Sequence, residues 1–196
     1  MKSIEKSPVI IFGGAFNPPT SAHVDIIEAC LSLPGFDELW VMPSGDRRDK
    51  QMDVSDEDRL NMLGLVRREV FEDNPRLVIS DFELKLPRPN QTYITVGKLA
   101  AEHADIDFWF TYGADAYASM PEWTHGVELQ EKLQMIIFGR GSIDIPSREE
   151  IIKLDVDSCD GISSSRARAN VTEGQPLDNL VCSSVARYIE QNKLYT

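Results

Sequence analysis

The segment Pro8–Phe12 (PVIIF) is an uninterrupted apolar run that stops at the pair Gly13-Gly14. A short continuous run of this kind, bounded by a turn signal, predicts a strand buried on both faces, and such strands belong to parallel sheets covered by helices on either side. After Asn17-Pro18-Pro19, the apolar residues Val24, Ile27 and Leu31 recur at spacings of three and four up to the stop signal Pro34-Gly35. This spacing predicts a helix from about Ser21 to Leu33. A buried strand, a glycine turn and an amphipathic helix in immediate succession restrict the chain to the α/β class.

The alternation continues along the chain. Glu38–Met42 reads as a second strand, and Asp46–Asp53, polar and without periodicity, as a mobile loop. A helix follows from about Asp56, with Leu60, Leu63 and Val70 on its apolar side. Arg76–Leu84 reads as a third strand, Thr95–His103 as a helix, Asp107–Thr111 as a fourth strand and Gln134–Phe138 as a fifth. Ile151–Val156 fits either a helix or a strand, and Ser164–Glu173 and Ser184–Gln191 read as two capped helices. The expected architecture is a Rossmann-like parallel sheet of about five strands with helices on both faces. A single domain over 1–196 is expected, with the C-terminal helices, 163–196, either part of it or a small subdomain. Ligands of such sheets sit beyond the carboxyl ends of the strands, which directs attention to the loops after strands one, four and five.

Composition serves mainly to exclude. With 20 Lys plus Arg against 32 Asp plus Glu, the net charge is −12. That balance repels a nucleic-acid backbone, so DNA and RNA are not expected partners, although a small phosphate ligand can still be held where N–H groups and a few cations converge. The longest apolar runs fall far short of the roughly 20 residues that cross a bilayer. Met1–Ser7 lacks the pattern of a signal peptide, which places the expected location in the cytoplasm. Cys30, Cys159 and Cys182 lack metal spacing and read as buried small side chains, while His103 and His125 read as surface residues.

The segment from Gly13 to His23 carries the first chemistry. Paired glycines let a backbone approach a phosphate closely, and the helix that follows offers unpaired N–H groups at its positive end. Thr20 is a suitable N-cap, which puts His23 in the first turn as a donor toward a triphosphate. The pattern is neither GxGxxG nor GxxxxGK[ST], so dinucleotide-dependent dehydrogenases and P-loop kinases lose their main support. A second phosphate site is expected where Ser163, Ser164 or Ser165 caps the helix that carries Arg168.

Gly13-Gly14-Ala15-Phe16-Asn17-Pro18-Pro19-Thr20-Ser21-Ala22-His23 resembles the signature of the HxGH nucleotidylyltransferase superfamily. The likeness is closest to the nicotinate mononucleotide adenylyltransferases, with their GGxFxPxHxGH. Further along, Asp58–Leu63 resembles their RLxML helix, Tyr112-Gly113-Ala114-Asp115 and Pro121-Glu122-Trp123 their GxD and PxW elements, and Ile162–Arg168 their ISSTxxR. The resemblance implies a Rossmann-like fold, ATP with Mg²⁺, and transfer of AMP to nicotinate mononucleotide with release of pyrophosphate, a step of NAD biosynthesis.

On this reading Gly13, Gly14 and Phe16 supply a backbone cradle for ATP, His23 donates to phosphate oxygens, Thr20 adds a neutral hydroxyl, and Arg168 neutralises triphosphate charge. Ile162, Ser163, Ser165, Gly113 and Asp115 complete the ATP side. Asn17, Lys50, Thr92 and Trp123 fall to the acceptor. No side chain is assigned to a metal. Asp115 suits ribose hydroxyls or Mg²⁺ and equally a helix cap; Lys50 suits an incoming phosphate or open solvent; Trp123 suits the core or, by the resemblance, stacking on a pyridine ring.

The chain also departs from the pattern. Thr20 stands for the first motif histidine, as in the phosphopantetheine adenylyltransferases, and Ala22 for the motif glycine. Asp49 stands where the loop motif PPHK has histidine, and Thr92–Val96 matches SYTxxTL only with a gap. Two alternatives therefore accompany the leading expectation. One keeps the fold and changes the substrates, with nicotinamide mononucleotide, a phosphopantetheine-like acceptor or cytidylyl transfer. The other is a nucleotide-binding regulatory protein that has lost turnover.

Overall fold

The first apolar run forms strand β1, Ser7–Gly14, in a computed structural model that describes residues 7–45, 52–139, 145–156 and 161–196. Side chains alternate across a strand, so β1 serves two cores at once. Val9 and Ile11 enter one, and Ile10 and Phe12 the other. β1 pairs in parallel with β2 (Glu38–Pro43) on one side and β4 (Ile106–Gly113) on the other. The edge strand β3 (Leu77–Ile79) lies beyond β2, and β5 (Gln134–Phe138) and β6 (Ile151–Leu154) lie beyond β4. The sheet is six-stranded, entirely parallel, in the order β3-β2-β1-β4-β5-β6.

This order puts the reversal of strand direction of travel between β1 and β4, and there the chain leaves opposite faces of the sheet. Helices α1 (Ser21–Leu31) and α2 (Asp56–Phe71) pack over the Ile10 and Phe12 side. Helices α3 (Thr92–Glu102), α4 (Ala114–Ser119) and α5 (Gly126–Lys132) cover the Val9 and Ile11 side. The remaining helices, α6 (Ser164–Thr172) and α7 (Ser183–Gln191), bury Ala167, Val185 and Ile189 against Met62 and Val66 of α2. Glu69 of α2 fixes the start of α7 by accepting the Ser183 and Ser184 N–H groups at 3.0 and 2.7 Å.

The sheet has one strand more than expected because Ile151–Leu154 resolves to a strand. Its register with Met135–Phe138 supplies ladder bonds that a single sequence cannot display. The expected third strand shrinks to Leu77–Ile79, since beyond Ser80, whose N–H still reaches the Val41 carbonyl at 2.9 Å, the chain turns into a 3₁₀ turn at Glu83–Lys85. The helix expected at Thr95 begins at Thr92. Cys30 is buried as expected, with its thiol pushed up to about 12 by burial. Cys182 is half-buried at the start of α7, and Cys159 lies outside the described residues. His103 departs from its surface reading: its ring packs edge-on to Trp40 at 5.4 Å and beside Phe108, which half-buries it.

Candidate active site

The loop after β1 meets α1 at Thr20, whose extended backbone (φ −119°, ψ 170°) is that of an N-cap. The Thr20 N–H donates to His23 Nδ1 at 2.9 Å, and Thr20 Oγ1 lies 2.8 Å from the same nitrogen. Accepting a main-chain N–H requires Nδ1 to be unprotonated, so the ring proton sits on Nε2. Burial pushes His23 down to about 4, which agrees with a neutral ring. The ring rests 5.0 Å from Phe16, itself fully buried with φ +47° and its ring under Gly14. Phe16 therefore offers this site only its backbone, and a side chain at Gly14 would strike the Phe16 ring at 3.0 Å.

The helix N-terminus is less open than expected. The Ser21 N–H, one of the groups available to a phosphate, is taken by the Leu180 carbonyl at 2.9 Å. The His23 N–H turns back to the Thr20 carbonyl at 3.0 Å. Helix α6 reaches the same loop from the far end of the chain. Ser163 caps α6, accepting the Arg166 N–H at 3.2 Å, and Ser164 Oγ donates to the Pro18 carbonyl at 2.8 Å. Arg168 Nη1 donates to the Asn17 carbonyl at 2.9 Å, and Arg168 Nε pairs with Asp53 at 3.0 Å. Thus α1 and α6 bring His23 and Arg168 to the same loop, residues 17–20. Ser165 is exposed in the first turn of α6, 3.5 Å from Arg168 Nη2, and Ile162 is half-buried against the α2 and α7 core.

On the other side of β1 a cleft of about 660 Å³ opens at the carboxyl ends of β1, β2, β4 and β5. Gly13, Gly14, Gly113, Asp115, Thr92 and Trp123 all line it. Trp123 is half-buried, edge-on to Tyr112 at 6.0 Å, with the rest of its surface toward the cleft. Asp115, exposed in the first turn of α4, folds its carboxylate back over Gly113, where a Cβ would lie 2.6 Å from Oδ1. Ser44 Oγ, Asn90 Oδ1, Thr95 Oγ1 and Thr111 Oγ1 also belong to this wall, buried and without a hydrogen-bond partner. Each such atom costs about 1–3 kcal/mol unless water or a ligand satisfies it, so the wall is chemically prepared for a polar guest.

Some expected members stand elsewhere. Asn17 is buried with its amide in use, donating to Asp53 at 3.2 Å and accepting from Tyr195 at 2.8 Å. It braces the loop, with one amide N–H and its oxygen committed to that role. Lys50 and Asp49, with the rest of 46–51 and the mobility expected there, lie outside the described residues. Sequence reasoning missed Arg59. Its fully buried guanidinium donates to the Ala15 and Ser44 carbonyls at 2.9 and 2.8 Å and pairs with Asp56 at 2.6 Å, tying the loops after β1 and β2 together. The likeness of Asp58–Leu63 to the RLxML helix included this arginine but gave it no role.

A parallel sheet in this order, with a glycine loop, a capped histidine and a convergent arginine at its switch point, defines a Rossmann-type nucleotidyltransferase. The chain belongs to the cytidylyltransferase-like family, whose profile matches residues 11–170. It is similar to the probable nicotinate-nucleotide adenylyltransferase of Geobacillus thermodenitrificans, 33% identical over 187 residues that span 94% of this chain and 84% of that one. It is also similar to the nicotinate-nucleotide adenylyltransferase of Bacillus subtilis, 30% identical over 187 residues, 94% of this chain and 96% of that one. Among solved structures, Plasmodium falciparum nicotinic acid mononucleotide adenylyltransferase complexed with NaAD shares the fold. Its TM-score is 0.82 at 23% identity, over 96% of this chain and 97% of that one.

Proposed function

We propose that the protein transfers AMP from ATP to nicotinate mononucleotide and releases pyrophosphate, the activity for which its Geobacillus and Bacillus relatives are named. The observation that carries the reading is that His23 and Arg168 meet at one loop on one side of β1, while Thr92 and Trp123 line a polar cleft on the other. The reacting phosphates then lie across the strand end between two substrate halves.

In the reaction a phosphate oxygen of the mononucleotide attacks the α-phosphorus of ATP, a new P–O bond forms, and the bond to the β-phosphate oxygen breaks. Little covalent help is needed, because the barrier lies in aligning anions and neutralising charge that spreads over the transferring group. His23 Nε2–H donates to the triphosphate, held at the right angle by its Nδ1 bond to Thr20. Arg168 supplies the positive charge, with Nη2 as the edge turned to the phosphates, and Gly13 and Gly14 let the backbone come close. Trp123 gives the pyridine ring a stacking face, and Thr92 with the unpartnered hydroxyls of the wall binds the polar parts of the acceptor. Asp115 holds ribose hydroxyls.

On this reading Mg²⁺ would arrive with ATP, held through the substrate's phosphates, and would supply charge neutralisation there. The C-terminal helices share their core with α2, which favours one domain over 7–196. Among the described residues no helix is long and apolar enough to cross a membrane. We assign the protein to the cytoplasm, where ATP and mononucleotides are available. The deciding experiment measures pyrophosphate release with Mg-ATP or Mg-CTP and a panel of nicotinate mononucleotide, nicotinamide mononucleotide and phosphopantetheine. Turnover fastest with ATP and nicotinate mononucleotide is expected; no turnover across the panel would leave a binding protein.

A further inference from the structure

Beyond α7 the chain returns to the loop after β1 and closes a ring of side chains around Arg168. The Tyr195 hydroxyl donates to Asn17 Oδ1 at 2.8 Å. Asn17 Nδ2 donates to Asp53 Oδ2 at 3.2 Å, and the same carboxylate oxygen holds Arg168 Nε at 3.0 Å. Arg168 Nη1 closes the ring on the Asn17 carbonyl at 2.9 Å. A carboxylate can only accept, so Asn17 must turn its amide nitrogen toward Asp53 and its oxygen toward Tyr195. The Asp53 carboxylate thereby sets the orientation of Asn17, and the Tyr195 hydroxyl, donating to Oδ1, holds the side chain in place.

Tyr195 is held for this contact. Its backbone lies in the left-handed region at φ +64°, a conformation that is unfavourable for a non-glycine residue and persists where surrounding contacts impose it. Thr172 of α6, four residues beyond Arg168, donates to the Tyr195 carbonyl at 3.2 Å. Both partners of the contact are therefore tied to α6 and to the loop together. Two edges of the Arg168 guanidinium are spent inside the ring. Nη2, with only the 3.5 Å contact to Ser165, is the edge left to face a ligand.

The geometry points to Tyr195 as a positioning residue that, through Asn17 and Asp53, holds Arg168 with Nη2 presented to the triphosphate. This rests on the proposed reading of Arg168 as a triphosphate ligand. Tyr195 touches no reacting atom and acts through the arginine alone.

The test is steady-state kinetics on the full chain with Mg-ATP and nicotinate mononucleotide. Tyr195→Phe, which removes one hydroxyl, is expected to lower kcat/KM for ATP about tenfold, the effect of one hydrogen bond of ordinary size. KM for the mononucleotide stays where it was. Asp53→Asn, a second break in the ring, lowers kcat/KM for ATP in the same direction. In an Arg168→Lys background, Tyr195→Phe has no further effect, because the group it positions is gone. Equal effects of Tyr195→Phe with and without Arg168, a matched rise in KM for both substrates, or wild-type kinetics in Tyr195→Phe would overturn the proposal. Full activity in Arg168→Lys and His23→Ala together would instead overturn the triphosphate reading, and so tells the two failures apart.

Discussion

The backbone N–H of Thr20 donates to Nδ1 of His23 at 2.9 Å, which makes a histidine part of the cap of its own helix. The capping residue and the third residue of the helix bond reciprocally, an arrangement that usually employs Glu or Gln at the third position. Histidine in that place satisfies the cap with one nitrogen and keeps the other, protonated, for a ligand. The N–H that supports His23 is a main-chain group, so the exchange of the first motif histidine for Thr20 leaves it in place, and the Thr20 hydroxyl adds a second contact to Nδ1 at 2.8 Å.

On the proposed reading, His23→Ala and Arg168→Ala each remove one donor to the transferring phosphates. Each is expected to lower kcat/KM by a factor of 10² to 10³, about 2.7–4 kcal/mol, by analogy with deletion of one oxyanion donor. Pyrophosphate release by the purified variants, with circular dichroism to establish folding, reads this directly. Unchanged kcat/KM in either variant removes that residue from the phosphate site.

Acid should destabilise the fold through His23. Its folded value of about 4 lies below the ordinary 6.5, so between those limits the unfolded chain takes up a proton that the folded chain refuses. The contribution is full above about pH 6.5 and is lost as pH falls toward 4, with an amplitude of roughly 3 kcal/mol over that interval, of which about 2 kcal/mol falls between pH 7 and pH 5. Urea midpoints at pH 7 and pH 5 for the wild type and His23→Asn measure it. Asn can accept the Thr20 N–H without titrating, so its pH 7 to pH 5 difference should be smaller by that amount.

Arg59→Met is expected to destabilise by about 3–5 kcal/mol, because the buried carbonyls of Ala15 and Ser44 and the Asp56 carboxylate all lose the same partner. Equilibrium urea unfolding provides the value. A change under 1 kcal/mol would mean that water replaces the guanidinium.

Trp123→Ala should raise KM for the mononucleotide about tenfold or more, the loss of one stacking face, while KM for ATP stays constant. Trp123→Phe should recover most of the difference. A rise in both constants would place Trp123 in the framework of the cleft instead.

The architecture was largely legible in the sequence, since the central strands are mainly apolar runs and the longer helices announce themselves by period or by stop signals. Ile151–Leu154 was not, because four residues fit two periods and only pairing with β5 decides between them. The short helices from Ala114 to Lys132 escaped for a similar reason: six or seven residues hold too few turns to show a stripe. At the site, the glycine turn at Gly13-Gly14 and the place of His23 in the first turn of α1 were readable because they depend on loop and cap chemistry close in the chain. That Asn17 faces inward as a brace was not, since a polar residue in a loop can face either way.

By itself the sequence determined a parallel α/β fold, a phosphate loop opening a helix, and a histidine in its first turn, all consequences of spacing within about 20 residues. Tertiary structure alone decided what each group is free to do. The Ser21 N–H is spent on Leu180, Arg168 is clasped by Asp53 and Asn17, and Tyr195 crosses to Asn17 from 178 residues away in sequence. Hydrogen bonds are short and directional while the chain between their partners is long, so which donors are consumed and which remain for a substrate is fixed only when distant segments have packed together.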